Sequence, residues 1–97
     1  MRSKIELTND REIFEILLEK IKERIDLNDY SVKISNYGFT VDSYNIELYV
    51  ENGKVGIIFY NDLYPEQGKP LARKEIIFHI LVFDDIVNEL ADILGVD

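Results

Sequence analysis

His79 is the one side chain whose unperturbed pKa lies near neutrality, so any proton transfer near pH 7 would turn to it first. A general base needs an orienting partner. The nearest carboxylates in sequence, Glu75 and Asp84, stand at no spacing that fixes such a pair. Read as a strand residue, His79 shares a face with Ile77, Leu81 and Phe83, an apolar setting that suits a structural or interface histidine before a catalytic one. A small enzyme built on His79 is the residual reading.

The acids near the C-terminus are the second candidate. Asp85, Glu89 and Asp92 step by four and three, which lines three carboxylates along one stripe of a helix while Ile86, Leu90, Ile93 and Leu94 turn inward. Hard cations take oxygen ligands, but one helix face does not surround an ion, and no calcium-loop pattern with its central glycine occurs. No metal or cofactor is expected. The stripe reads as a solvated face, or as a docking surface for a basic partner.

Tyrosines make the third candidate. Tyr30, Tyr37, Tyr44, Tyr49, Tyr60 and Tyr64 all fall in the middle of the chain, and aromatic rings with a polar tip are enriched at protein interfaces. RNA-binding sheets pair such rings with basic side chains, whereas this stretch offers only Lys33 and Lys54. Covalent catalysis finds little support. Ser3, Ser31, Ser35 and Ser43 lie outside any nucleophile-elbow pattern, the five glycines are scattered rather than gathered into a phosphate loop, and cysteine is absent.

Charge narrows the partners. Nineteen acidic against eleven basic side chains give a formal charge of -8, which repels nucleic-acid backbones and anionic lipid. Five of the acids, Asp84, Asp85, Glu89, Asp92 and Asp97, fall in the last fourteen residues with no Lys or Arg among them. The opening residues Met1 to Glu6 lack a signal-peptide core, and the longest nearly apolar run, Ile76 to Phe83, falls short of the roughly eighteen residues a bilayer requires. A cytoplasmic location without membrane contact is the expectation. Fourteen isoleucines, one glutamine and no cysteine resemble the residue usage of heat-adapted proteins, although seven asparagines run against it.

Ninety-seven residues with 46% hydrophobic and 31% charged side chains are enough for a single α+β domain over 1–97 with one core. Asn9 with Glu12 has capping-box spacing, and Ile13, Phe14, Leu17, Leu18, Ile21 and Ile25 then mark one helical stripe. From Tyr30 the period falls to two. Asn36-Tyr37-Gly38 supplies a turn, Phe39-Thr40-Val41 begins the return, and Asp42 to Asn45 bulges or breaks it before Ile46 to Glu51.

Asn52-Gly53 predicts a type I′ hairpin, and that turn sets a register. Val50 opposes Val55, Leu48 opposes Ile57 and Ile46 opposes Phe59 on one apolar face; Tyr49 meets Gly56 and Glu47 meets Ile58 on the other. Leu63 to Pro70 reads as a surface loop. For the last third, a strand from Lys74 to Phe83 with a helix capped by Asp84 and ended by Gly95 is favoured over one helix from Leu71 to Leu94, because adjacent β-branched residues suit strands.

The expected architecture is an N-terminal helix, an antiparallel meander of three to four strands and a C-terminal helix, with both helices on the face of Ile46, Leu48 and Val50. The opposite face, with Tyr49, Ile58, Tyr60 and Leu81 around His79, is too apolar to stand open in a monomer. The leading expectation is a non-enzymatic interaction module that covers this face by self-association, as a homodimer or larger homo-oligomer, or with a partner protein. The alternative is an acidic inhibitor or nucleic-acid mimic that occupies a basic groove through Asp85, Glu89 and Asp92.

Overall fold

Asn9 opens the first helix as its spacing with Glu12 predicts. Its side-chain oxygen accepts from the Glu12 backbone N–H at 3.2 Å, and its amide donates to the Glu12 carboxylate at 3.0 Å. Helix α1 (Asp10–Arg24) buries Ile13, Phe14, Leu17 and Ile21, with acids in its first turn and Lys22 and Arg24 in its last, so side-chain charge opposes the dipole at both ends. The computed structural model describes residues 9–96, and Asp97 of the acidic end lies outside them, as do Met1 to Glu6.

Five strands follow: β1 (Val32–Ile34), β2 (Gly38–Val41), β3 (Ile46–Glu51), β4 (Lys54–Tyr60) and β5 (Ala72–Phe78); helix α2 (Phe83–Leu94) closes the chain. The sheet runs β1-β2-β3-β4-β5 with every neighbouring pair antiparallel. This is the expected α+β meander, with five strands in place of three to four. The difference arises at Asp42 to Asn45, where a 3₁₀ turn over Asp42–Tyr44 and a left-handed Asn45 at φ 55° reverse the chain completely. Val41 therefore pairs with Ile46, and the segment expected to bulge or break the strand breaks it, as a second tight connection.

The hairpin register is the one that Asn52-Gly53 dictates. Asn52 at φ 54° and Gly53 at φ 75° form the turn, and all six pairs from Glu51–Lys54 to Ile46–Phe59 match. Such a turn leaves the N–H groups of both central residues pointing outward. Asp10 receives them: its carboxylate accepts from Asn52 N at 2.9 Å and from Gly53 N at 2.8 Å, tying the start of α1 to the tip of the sheet.

The last third is strand then helix, but with shifted boundaries. β5 ends at Phe78 rather than Phe83, His79 and Ile80 bend, and α2 begins at Phe83. Because α2 must cross onto the helix layer, the chain leaves the sheet early, and Leu81 and Phe83 pack against the core instead of sharing an outer face with Ile77. Asp84 is not the cap. Val82 holds that position with no side-chain cap bond, while Asp84 and Asp85 sit inside the first turn, where they still favour the dipole; Gly95 at φ 74° ends the helix as expected.

Both helices share one core with one sheet face. Leu17 and Ile21 of α1, Ile86 and Leu90 of α2, and Val41, Leu48, Val55 and Ile57 of the sheet are wholly shielded from solvent.

Candidate functional site

Strand parity divides the sheet, and the side away from the helices carries the polar chemistry. Across its middle run Lys33, Thr40, Glu47, Ile58 and Glu75, one from each strand in turn. The neighbouring row is Gly38, Tyr49, Gly56 and Ile77. Tyr49 thus stands between two glycines. A Cβ on Gly56 would lie 2.3 Å from the Tyr49 ring carbons, so the ring fills the place a side chain would take and its hydroxyl reaches across to donate to Glu75 on β5.

Tyr60 makes the companion contact, donating to the Glu47 carboxylate at 2.8 Å. Partial burial, then the hydrogen bond and charge of its glutamate, pushes each phenol up to about 12, Tyr49 through Glu75 and Tyr60 through Glu47. Both rings are half-buried, as is Ile58 between them. The polar tips are spent on carboxylates.

Beside Tyr49 the sheet leaves an open trough of about 570 Å³. Tyr37 and Tyr49 give it an aromatic lining and Ile58 an aliphatic one, and Asp10, Glu47, Glu51 and Glu75 supply carboxylates; among the described residues no Lys or Arg lines it. At the far corner the connection after β4 closes the face. Tyr64 accepts from Lys33 Nζ at 3.0 Å and donates to Asp42 at 3.2 Å, while Leu63 is buried. That hydrogen bond, with the Asp42 charge, raises the Lys33 pKa.

The expected site residues separate. Tyr49, Ile58 and Tyr60 come together on the outer sheet face as parity predicts. His79 lies past the end of β5, exposed in the bend, and Leu81 turns inward, so neither belongs to that face. Asp85, Glu89 and Asp92 ride on α2, in the layer across the core, with Asp85 and Asp92 exposed and Glu89 half-buried. Among the described residues no group of His, Asp and Glu is placed to hold a metal ion, and no helix is long and apolar enough to cross a membrane.

Sequence reasoning missed Glu75 and Asp10 as lining residues, while Tyr37 stands among the candidate tyrosines. Glu75 becomes visible once β5 is in register with β4, which places it opposite Ile58 and diagonal to Tyr49. Asp10 carries no such signal, since its helix packs on the other face. Compared with known protein families, curated proteins and solved structures, the chain matches none.

Proposed function

We propose that this chain is a protein-interaction module whose outer sheet face receives a basic, partly apolar segment of another protein. The observation that carries the reading is the composition of the trough: four carboxylates and two tyrosines around Ile58, without a cation among the described residues. A lysine or arginine side chain laid there would meet aromatic faces along its stem and carboxylates at its head. Self-docking through the same face is less favoured, because a two-fold axis would set Glu47, Glu51 and Glu75 against their own copies.

The test is amide-shift mapping with a short peptide of alternating Lys and Val, at low and at high salt. The expected result is shifts at Tyr49, Gly56, Ile58 and Glu75 that fade as ionic strength rises and are lost in Glu47→Gln/Glu75→Gln. Shifts confined to Asp85, Glu89 and Asp92 would instead move recognition to the α2 acids, as an acidic inhibitor would require. No shift on either surface would overturn the reading.

A further inference from the structure

Backbone polarity along the meander fixes what β5 offers to solvent. Val50 N–H donates to Tyr37 O at 2.8 Å, so Val50 faces β2 and its neighbours Tyr49 and Glu51 face β4. Tyr60 N–H donates to Asn45 O at 2.8 Å, so Tyr60, Ile58 and Gly56 face β3, which turns Phe59, Ile57 and Val55 toward β5. Their partners there are Lys74, Ile76 and Phe78. The N–H and C=O of Glu75 and Ile77 therefore point away from the sheet, along a seven-residue edge strand that no other described element pairs with.

An edge of this kind is a template for another strand, and proteins commonly guard it with charge or a bulge. Only the first half of β5 is guarded. The register slips between Phe59 and Tyr60, leaving Arg73 as the extra residue beside Lys74, whereas Glu75 to Phe78 run regularly and lead into exposed Ile80 and Val82.

We propose that a second copy of this chain pairs antiparallel along β5, joining two meanders into one ten-stranded sheet. Charge selects both occupant and register. A two-fold pairing centred on Lys74 or Glu75 sets like charges against each other, and one centred on Ile77 runs past Phe78 into the bend. Centring on Ile76 places Ile76 against itself, Glu75 beside Ile77 and Lys74 beside Phe78 of the other copy.

The same antiparallel sense brings the start of one β5 to the end of the other. Arg73 and Lys74 lie on the helix side of the sheet, each over the Phe59 ring at 5.6 and 5.5 Å, and neither has an ion-pair partner among the described residues. Beyond the end of β5, on that side, Asp84 and Asp85 stand exposed and equally unpaired in the first turn of α2. The basic half of each edge thus faces the acidic helix start of its mate, so a chain of charge -8 meets its copy through locally opposite charges. The inference is independent of the basic-segment reading, since it uses the edge of the sheet and leaves the trough open.

Sedimentation velocity over a concentration series tests it, with amide exchange on the same samples. The expected result is a dimer in which the Glu75 and Ile77 amides become protected. Ile77→Pro, which removes an outward N–H and leaves the bonds to β4, should weaken association at least tenfold while circular dichroism stays native. Arg73→Glu/Lys74→Glu should weaken it comparably, and adding Asp84→Lys/Asp85→Lys to that pair should restore it. A monomer at every concentration would overturn the proposal. So would a dimer whose Glu75 and Ile77 amides exchange as in the monomer, or one indifferent to both the proline and the charge exchange.

Discussion

The β3–β4 hairpin presents two faces built from alternate residues of the same strands, and they are held by different physics. Toward the helices, Ile46, Leu48, Val50, Val55 and Ile57 are at most 3% exposed and need no polar partner. Toward solvent, Tyr49, Ile58 and Tyr60 are half-buried, and the two hydroxyls are answered by Glu75 and Glu47. The inner face is stabilised by apolar area removed from water, which is indifferent to direction. The outer face depends on directed bonds and on where glycine leaves room. A face of the second kind can exchange its intramolecular partners for a ligand at modest cost, which is why the candidate site lies there.

The largest expected effect is on the inner side. Leu48→Ala removes a fully shielded side chain at the centre of the sheet and should cost about 2–5 kcal/mol in chemical denaturation. A loss below about 1 kcal/mol would mean that the hairpin is not pinned by that core. On the outer side the glycines come next. In Gly38→Ala the new Cβ would lie 2.2 Å from the Leu48 carbonyl oxygen, which is backbone and must shift, whereas in Gly56→Ala the obstacle is the Tyr49 ring, which can swing away.

Both should destabilise by about 1–3 kcal/mol, Gly38→Ala more than Gly56→Ala. The second loss should shrink when Tyr49→Ala is already present. A double-mutant cycle with no coupling would show that Tyr49 does not rest on Gly56.

The two faces also differ in how far the sequence revealed them. The inner face was legible because alternation and a two-residue Asn-Gly turn together leave one register, so Leu48 opposite Ile57 follows without any structure. Helix α1 was legible from its cap and stripe. Two features needed the tertiary fold. Asp10 reads as an ordinary first-turn acid, and nothing local says that the hairpin tip will arrive at its carboxylate.

The segment from Phe78 to Phe83 alternates as a strand would, yet it must carry the chain from sheet to helix layer, so packing of Leu81 and Phe83 against the core overrides the local pattern. His79 falls outside the site because β5 ends at Phe78, short of the Phe83 that alternation alone predicts. Tyr49, Glu47, Ile58 and Tyr60 follow from parity alone, but Glu75 does not, because it depends on a pairing between strands separated by an eleven-residue connection from Asn61 to Leu71.

The smallest effect is the most specific to the outer face. Tyr49 and Tyr60 ionise at about 12 in the folded chain, above the ordinary phenol at 10.0, because burial and a neighbouring carboxylate both disfavour the phenolate. With a raised folded pKa, the contribution to stability is complete below pH 10. Between about 10 and about 12 the unfolded chain gives up its phenolic protons while the folded chain keeps them, so stability falls as pH climbs through that window.

Tyr49→Phe/Tyr60→Phe should lose no more than about 1 kcal/mol per hydrogen bond at neutral pH, and it should flatten the fall in the alkaline window. Near-ultraviolet absorbance would show the same two phenols missing from the late titration. If the double variant declines with pH as steeply as the parent, the outer face is not held by its tyrosine–glutamate pairs, and the contrast with the inner face would have to rest on the glycines alone.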